Sequence, residues 1–428
     1  MPTRREIWRT FPARSRRQAT GVLVGNFQSQ IGNSLHILAA AVISLKVTGS
    51  AASAVGVVVV SALPPLLLVR YVSTAVRTVS CAVLLVGIEL VSAALVFIVP
   101  VASVLTDVAL WHLYLQEFLL AVVAAFYGPA LREWTTTASG DETRLQWLNS
   151  TLASTGQLAA LLGWSLGGAV SAVFSPVFLM TVNGVTFLCS AVILGYAFRL
   201  DAGGRPWRFR TTDTGTRPVA ATAGVSPEHR SVRQLLRLLF DTRTLGLLSL
   251  ALLSLMLAKR LAFSMFVPLL AGPDGATPSV AGFANGAFSA CAVVSGVLVA
   301  GGRIGALVAE RAALFVALMF GVQLVFASTR DPVAQVLLYG VVGLLSGSSS
   351  VFQSLVQERW RDIGAGSAYA AFAAVQAPVA LLASGLLALV LTVADVSVVY
   401  LVVVGGLGLG AALWGHVGLN REAVTQSV

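Results

Sequence analysis

The stretch GNFQSQIGNSLHILAAAVISLKVTGSA, residues 25–51, decides how the rest of the chain is read. As a helix rising about 1.5 Å per residue it is long enough to cross roughly 30 Å of bilayer hydrocarbon. Asn26, Gln30 and Asn33 recur in it at i, i+4 and i+7, which puts three amide side chains on one face. Such a stripe does not face lipid; it lines a wet cavity or bonds across a helix bundle. His36 extends the stripe and can titrate, although a lone histidine is more often a hydrogen-bonded structural residue.

The composition agrees. Of 428 residues, 57% are hydrophobic and only 11% charged, against about 25% charged in soluble domains. Apolar runs of membrane-spanning length recur along the whole chain, so the expected class is an all-α polytopic membrane protein. The runs are too uniformly apolar for the alternating strands of an outer-membrane barrel. The net charge of +10 does not point to nucleic acid, because the basic residues fall between the apolar runs, where membrane orientation needs them. The basic N-terminus runs into a long first span, and no cleavable signal is expected. Cys81, Cys189 and Cys291 lie inside separate spans, so no disulfide or metal motif is expected from them. There is no P-loop, no His-Glu-x-x-His and no Cys-x-x-Cys, and His36, His112, His229 and His416 are scattered. These absences exclude ATP hydrolysis through a P-loop and give an intramembrane enzyme no support. No cofactor and no metal are expected.

Twelve spans are expected: 21–45, 52–71, 79–99, 108–131, 146–172, 177–198, 245–270, 279–301, 307–327, 332–356, 365–393 and 396–416. They divide into two bundles of six, 20–198 and 244–416. A basic tail, 1–19, precedes them; a polar linker, 199–243, separates them; a short tail, 417–428, follows. With the N-terminus in the cytoplasm, the inside segments collect the tail arginines, Arg70 and Arg77, Arg132 and Arg144, nine arginines between Arg199 and Arg243, Arg303 and Arg311, Arg359 and Arg361, and Arg421. The outside segments hold only Lys46 and Arg330. Losing or gaining one span scrambles that asymmetry, so both termini are expected inside. The halves also echo each other. Leu113-Tyr114, Leu119-Leu120 and Arg132-Glu133-Trp134 recur about 225 residues later as Leu338-Tyr339, Leu344-Leu345 and Glu358-Arg359-Trp360. A parallel repeat of six-helix halves is a transporter plan, with the site near the midplane between them.

In this arrangement the chain resembles the major facilitator superfamily, and within it the bacterial drug- and siderophore-exporter branch. The residues that carry the resemblance are Gly25-Asn26, Ser29 and Ile31-Gly32-Asn33 on the first helix, then Val47-Thr48-Gly49-Ser50-Ala51. Leu63-Pro64, Leu113-Tyr114, Ala125-Phe126-Tyr127, Pro129-Ala130 and Asn149-Ser150 follow in order. There are departures. The family's charged latch loop between helices two and three is replaced by residues 69–77, VRYVSTAVR, without its Gly or Asp. The fifth-helix antiporter motif reads Gly163-Trp164-Ser165-Leu166-Gly167-Gly168, with Trp164 in place of Pro. The first-helix Asp is Asn33, which cannot take part in proton exchange.

The embedded ionisable residues are functional candidates by default. Glu117 lies about 14 Å into the fourth span, with Ala121, Ala124 and Gly128 continuing its face; it is read as a proton carrier or a binder of a cationic or hydroxyl group, or as a structural hydrogen bond. Glu89 is at similar depth in the third span, which the resemblance makes peripheral, so a structural role is favoured. Lys259 and Arg260 lie about 21 Å along the seventh span and read as snorkelling side chains, an anion site, or a partner for Glu117. Gln353 and Gln357 on the tenth span and Gln376 on the eleventh are weaker candidates.

The resemblance implies the major facilitator fold and a secondary transporter of the plasma membrane that exports a small amphipathic molecule, a drug or metabolite, by alternating access, with proton antiport. The expected partners are a small-molecule substrate, the lipid bilayer and protons, with no nucleic acid and a monomeric chain. The alternative is a transport-deficient scaffold or binding partner in the membrane. The altered latch loop favours that alternative; the polar stripe and embedded charges favour transport.

Overall fold

Helix α1 runs from Ala13 to Thr48, well beyond the first expected span at both ends. It stops at Gly49, whose φ of 64° is left-handed and whose N–H bonds to the Leu45 carbonyl at 2.7 Å. A glycine takes that conformation at no steric cost. Ser50 then accepts the Ala52 N–H at 3.2 Å and opens the next helix. The Thr-Gly-Ser-Ala turn of the sequence is thus a helix stop followed directly by a helix start.

The computed structural model describes residues 8–139, 142–199, 242–270, 278–300, 302–359 and 365–425. Most of the linker and the extreme ends of both tails lie outside the described residues. Among the described residues the fold is all-helical: α2 (Ala51–Leu67), α3 (Val69–Thr78), α4 (Cys81–Val96), α5 (Ile98–Leu105), α6 (Leu110–Ser139), α7 (Glu142–Ser171), α8 (Pro176–Arg199), α9 (Arg243–Leu270), α10 (Pro278–Ala300), α11 (Gly302–Glu310), α12 (Ala312–Ser328), α13 (Pro332–Leu345), α14 (Gly347–Arg359), α15 (Ala365–Val390) and α16 (Val396–Thr425). Among the described residues, eight helical stretches are long and apolar enough to cross a membrane, or nine if α11 and α12 count as one bent span.

The boundaries differ from the expected spans where proline and amphipathic sequence intervene. The 52–71 span ends at Leu67, just after Pro64 and Pro65, and residues 69–78 form a separate helix. The 79–99 span breaks at Phe97, because Pro100 has no N–H to continue the ladder and its ring crowds the preceding turn. Glu310 ends an amphipathic segment that meets α12 at 89°, so that membrane-length stretch begins at Ala312 rather than 307. The 332–356 span is interrupted at Ser346, where Gly347 donates its N–H to Ser295 Oγ at 3.1 Å.

The helices form two compact units. The first comprises Met1–Gly49, Gly56–Thr216 and Thr277–Gly286; the second comprises Ser50–Val55, Arg217–Ala276 and Ala287–Val428. In the first unit α1 and α8 pack with glycines at the seam. A Cβ at Gly21 would strike Ala197, one at Gly25 would crowd Ser190 and Leu194, and one at Gly32 would strike Asn183 and Thr186. Gln28 Nε2 crosses the same seam to the Thr186 carbonyl at 2.6 Å. Gly163 of α7 sits against Ile31 and Ser34 of α1, and Gly168 against Gly282, where each lacks room for a Cβ. The glycines of the fifth-helix motif therefore serve close helix approach. In the second unit Phe266, Phe326 and Tyr339 stack, with ring centroids 4.5 to 6.1 Å apart. Tyr400, buried beside them in that unit, donates to Gln323 Oε1 at 3.3 Å.

Candidate functional site

The polar stripe of α1 faces a cavity of about 630 Å³ inside the first unit. Asn26, Ser29, Gln30, Asn33 and His36 supply one wall, at the i, i+3, i+4 and i+7 spacing of a single helical face. Glu117, Ala121, Ala124, Tyr127 and Gly128 of α6 supply another. Ser61 and Pro65 of α2, Glu89 and Ser92 of α4, and Asn183 and Phe187 of α8 complete it. The expectation placed the site between the halves; every residue lining this cavity belongs to the first unit.

Two carboxylates meet α1 in this cavity. Glu117 Oε1 lies 2.6 Å from His36 Nε2, with the histidine side chain 7% and the glutamate side chain 12% exposed. His36 Nδ1 is buried and has no hydrogen-bond partner. A ring carrying both protons would leave that N–H without an acceptor, at a cost of about 1–3 kcal/mol, until water or a bound molecule supplied one. Seven residues earlier on α1, Ser29 donates its hydroxyl to Glu89 Oε2 at 3.3 Å. Tyr127 donates to Asn26 Oδ1 at 3.4 Å. Asn183 is fully buried; its Oδ1 accepts from Thr186 at 3.1 Å, and its Nδ2 has no partner.

Of the sequence candidates, Asn26, Gln30, Asn33, His36, Glu117 and Glu89 come together here. His36 is not lone, since it is the partner of Glu117. Lys259 donates to Ser349 Oγ at 3.0 Å within the second unit. Arg260 is exposed on α9. Glu89 is only 2% exposed, yet it lines the cavity. Its rank as peripheral is corrected: α4 turns this face toward α1 and α6. Gln353 and Gln376 are partly exposed on α14 and α15, away from the cavity lining, and the side chain of Gln357 lies outside the described residues.

Tyr127 and Asn183 are the additions. Tyr127 follows Glu117 by ten residues, nearly three full turns, so its position on the same wall was readable. Asn183 is the sole amide side chain of α8, a signal of the kind that singled out the first helix. Gln116, next to Glu117, does different work. It is fully buried, and its Oε1 accepts the Val99 N–H at 2.9 Å, closing the gap left at the Phe97 break.

No protein-family model matches the sequence, and no curated protein matches it. Solved structures do match the fold. The chain superposes on the nucleoside transporter NupG with a TM-score of 0.66 at 10% identity, covering 94% of this chain and 99% of that one. A bacterial homologue of the iron transporter ferroportin in an inward-facing state gives 0.61 at 14% identity, over 95% and 98% of the two chains. A bacterial homologue of the lysosomal transporter Spinster, inward-facing and unoccupied, gives 0.60 at 11% identity, over 95% of each. The chain thus shares its fold with these transporters along nearly its whole length.

Proposed function

We propose that the chain is a secondary active transporter of the plasma membrane that exports a small amphipathic molecule by alternating access of two six-helix halves, with both termini in the cytoplasm. The observation that carries the reading is the cavity. A lipid-embedded bundle has no reason to keep two carboxylates, four amides and a histidine around an open volume unless something polar enters it. Twelve spans fit the positive-inside pattern, with the stretches short of full span length in the structure, such as α2, crossing as parts of broken helices.

Proton antiport is part of the proposal, and His36 and Glu117 are its seat. His36 Nε2 and Glu117 Oε1 lie 2.6 Å apart, close enough to pass a proton between them. Arrival of a cargo group at Glu117 frees that proton, and departure of the cargo invites one back, so each bias the equilibrium between access states. The drug-exporter branch and the outward direction rest on the first-helix and fourth-helix resemblance.

The test is reconstitution in liposomes with an imposed pH gradient and a panel of amphipathic compounds. Gradient-driven movement that disappears in Glu117→Gln supports proton coupling at this pair. Movement indifferent to that change removes Glu117 from the coupling. A folded protein that moves no compound in the panel supports the scaffold alternative.

A further inference from the structure

The charges around the first-unit cavity are one-sided. Glu89 and Glu117 face it, and among the described lining residues there is no lysine or arginine. Each carboxylate takes a side-chain contact from α1, Ser29 to Glu89 and His36 to Glu117. An ionised carboxylate has about four acceptor sites, so both retain capacity for a further donor. Ser29 and His36 are seven residues apart on one helix, which spaces the two carboxylates roughly 10 Å along the wall. Gln30 and Asn33 lie between them, and the rings of Tyr127 and Phe187 line the same cavity.

We infer that this cavity is a two-point receptor for an elongated dication, an amphipathic molecule with a protonated nitrogen at each end and a largely apolar middle. A monocation satisfies one carboxylate and leaves the other facing a low-dielectric volume. A molecule with two cationic ends satisfies both, and its middle lies against the apolar part of the lining. The inference rests on the transport reading only in treating this ligand as the cargo; the binding stands apart from it.

The experiment is isothermal titration of the full chain in lipid nanodiscs with alkane diamines of stepped length and the matching monoamines. Affinity peaks at a nitrogen separation of about 10 Å, and the best diamine binds at least about tenfold more tightly than its monoamine, as expected for one added charge-assisted contact. Glu89→Gln and Glu117→Gln each reduce the diamine to the affinity of the monoamine. Affinity that climbs steadily with chain length, equals that of the monoamine, or survives both substitutions overturns the inference and indicates simple apolar partitioning. If either variant fails to assemble, the length series on the unaltered chain still decides. Diamine binding without gradient-driven movement overturns the transport reading and leaves the receptor standing. Movement of another compound without diamine binding overturns the receptor alone.

Discussion

Replacing His36 by leucine isolates the energy of the contact on which the proposed coupling depends. The substitution removes the 2.6 Å partner of Glu117 and leaves a carboxylate that is 12% exposed. Breaking a buried pair from one side costs about 3–5 kcal/mol. The cavity admits some water to this carboxylate, so the loss here is set lower, at about 2–3 kcal/mol. Glu117→Gln keeps an acceptor for the imidazole N–H and costs about 1 kcal/mol or less. The double variant His36→Leu with Glu117→Leu removes both polar groups together and returns to near the starting stability, because no charge is left stranded. The assay is the apparent melting temperature in detergent, followed by loss of the monodisperse peak. At about 2–4 °C per kcal/mol for a domain of 150–250 residues, His36→Leu lowers the midpoint by roughly 4–12 °C, and the double variant recovers most of that. A coupling of about 2 kcal/mol between the sites is the expected result. Additive losses in the double variant would refute the claim that His36 and Glu117 act as one unit.

Gln116→Leu strands the buried Val99 N–H at the Phe97 break, costing about 1–3 kcal/mol; hydrogen exchange should speed up across residues 97–105 and not across α8. Gly282→Val pushes a side chain into the backbone of Gly168 and the Trp164 carbonyl, and the yield of folded protein should fall sharply, whereas Gly321→Ala, with nothing within 4 Å, should gain up to about 1 kcal/mol from helix propensity in a thermal melt. Tyr400→Phe and Gln323→Leu each cost about 1 kcal/mol as single changes and less than their sum together, since the single changes each leave a buried polar group alone.

The wall of the cavity on α1 was legible because one helix carries it. Asn26, Gln30, Asn33 and His36 repeat at helical spacing, and polar groups at that spacing inside an apolar run mark a face whatever packs against it. Glu117 was legible for a simpler reason, an acidic residue deep in an apolar stretch. Partners and neighbours were not. His36 and Glu117 are separated by 81 positions, and no local pattern encodes which helices become adjacent. Glu89 was placed at the periphery because family resemblance was allowed to assign its face; rotation of α4 within the bundle is fixed by packing, and the packing turns it inward. Helix lengths were misread where Pro100 breaks a run that is otherwise uniformly apolar, and where α3 lies as a separate amphipathic helix in sequence that had been divided between a span and a loop. That the lining belongs wholly to the first unit was invisible to the sequence, since the echo between Leu113-Tyr114 and Leu338-Tyr339 speaks only of a repeat.

Helix α1 holds its glycine seam against α8 on one side and its amide wall on another. Turning the helix to present different amides would also turn Gly21, Gly25 and Gly32 out of their slots, so this wall is frozen by its own foundation. Selectivity can drift, in nature or by design, only across the room: Ala121 and Ala124 on α6 occupy little space, and a bulkier or differently polar side chain there reshapes what fits without disturbing the seam.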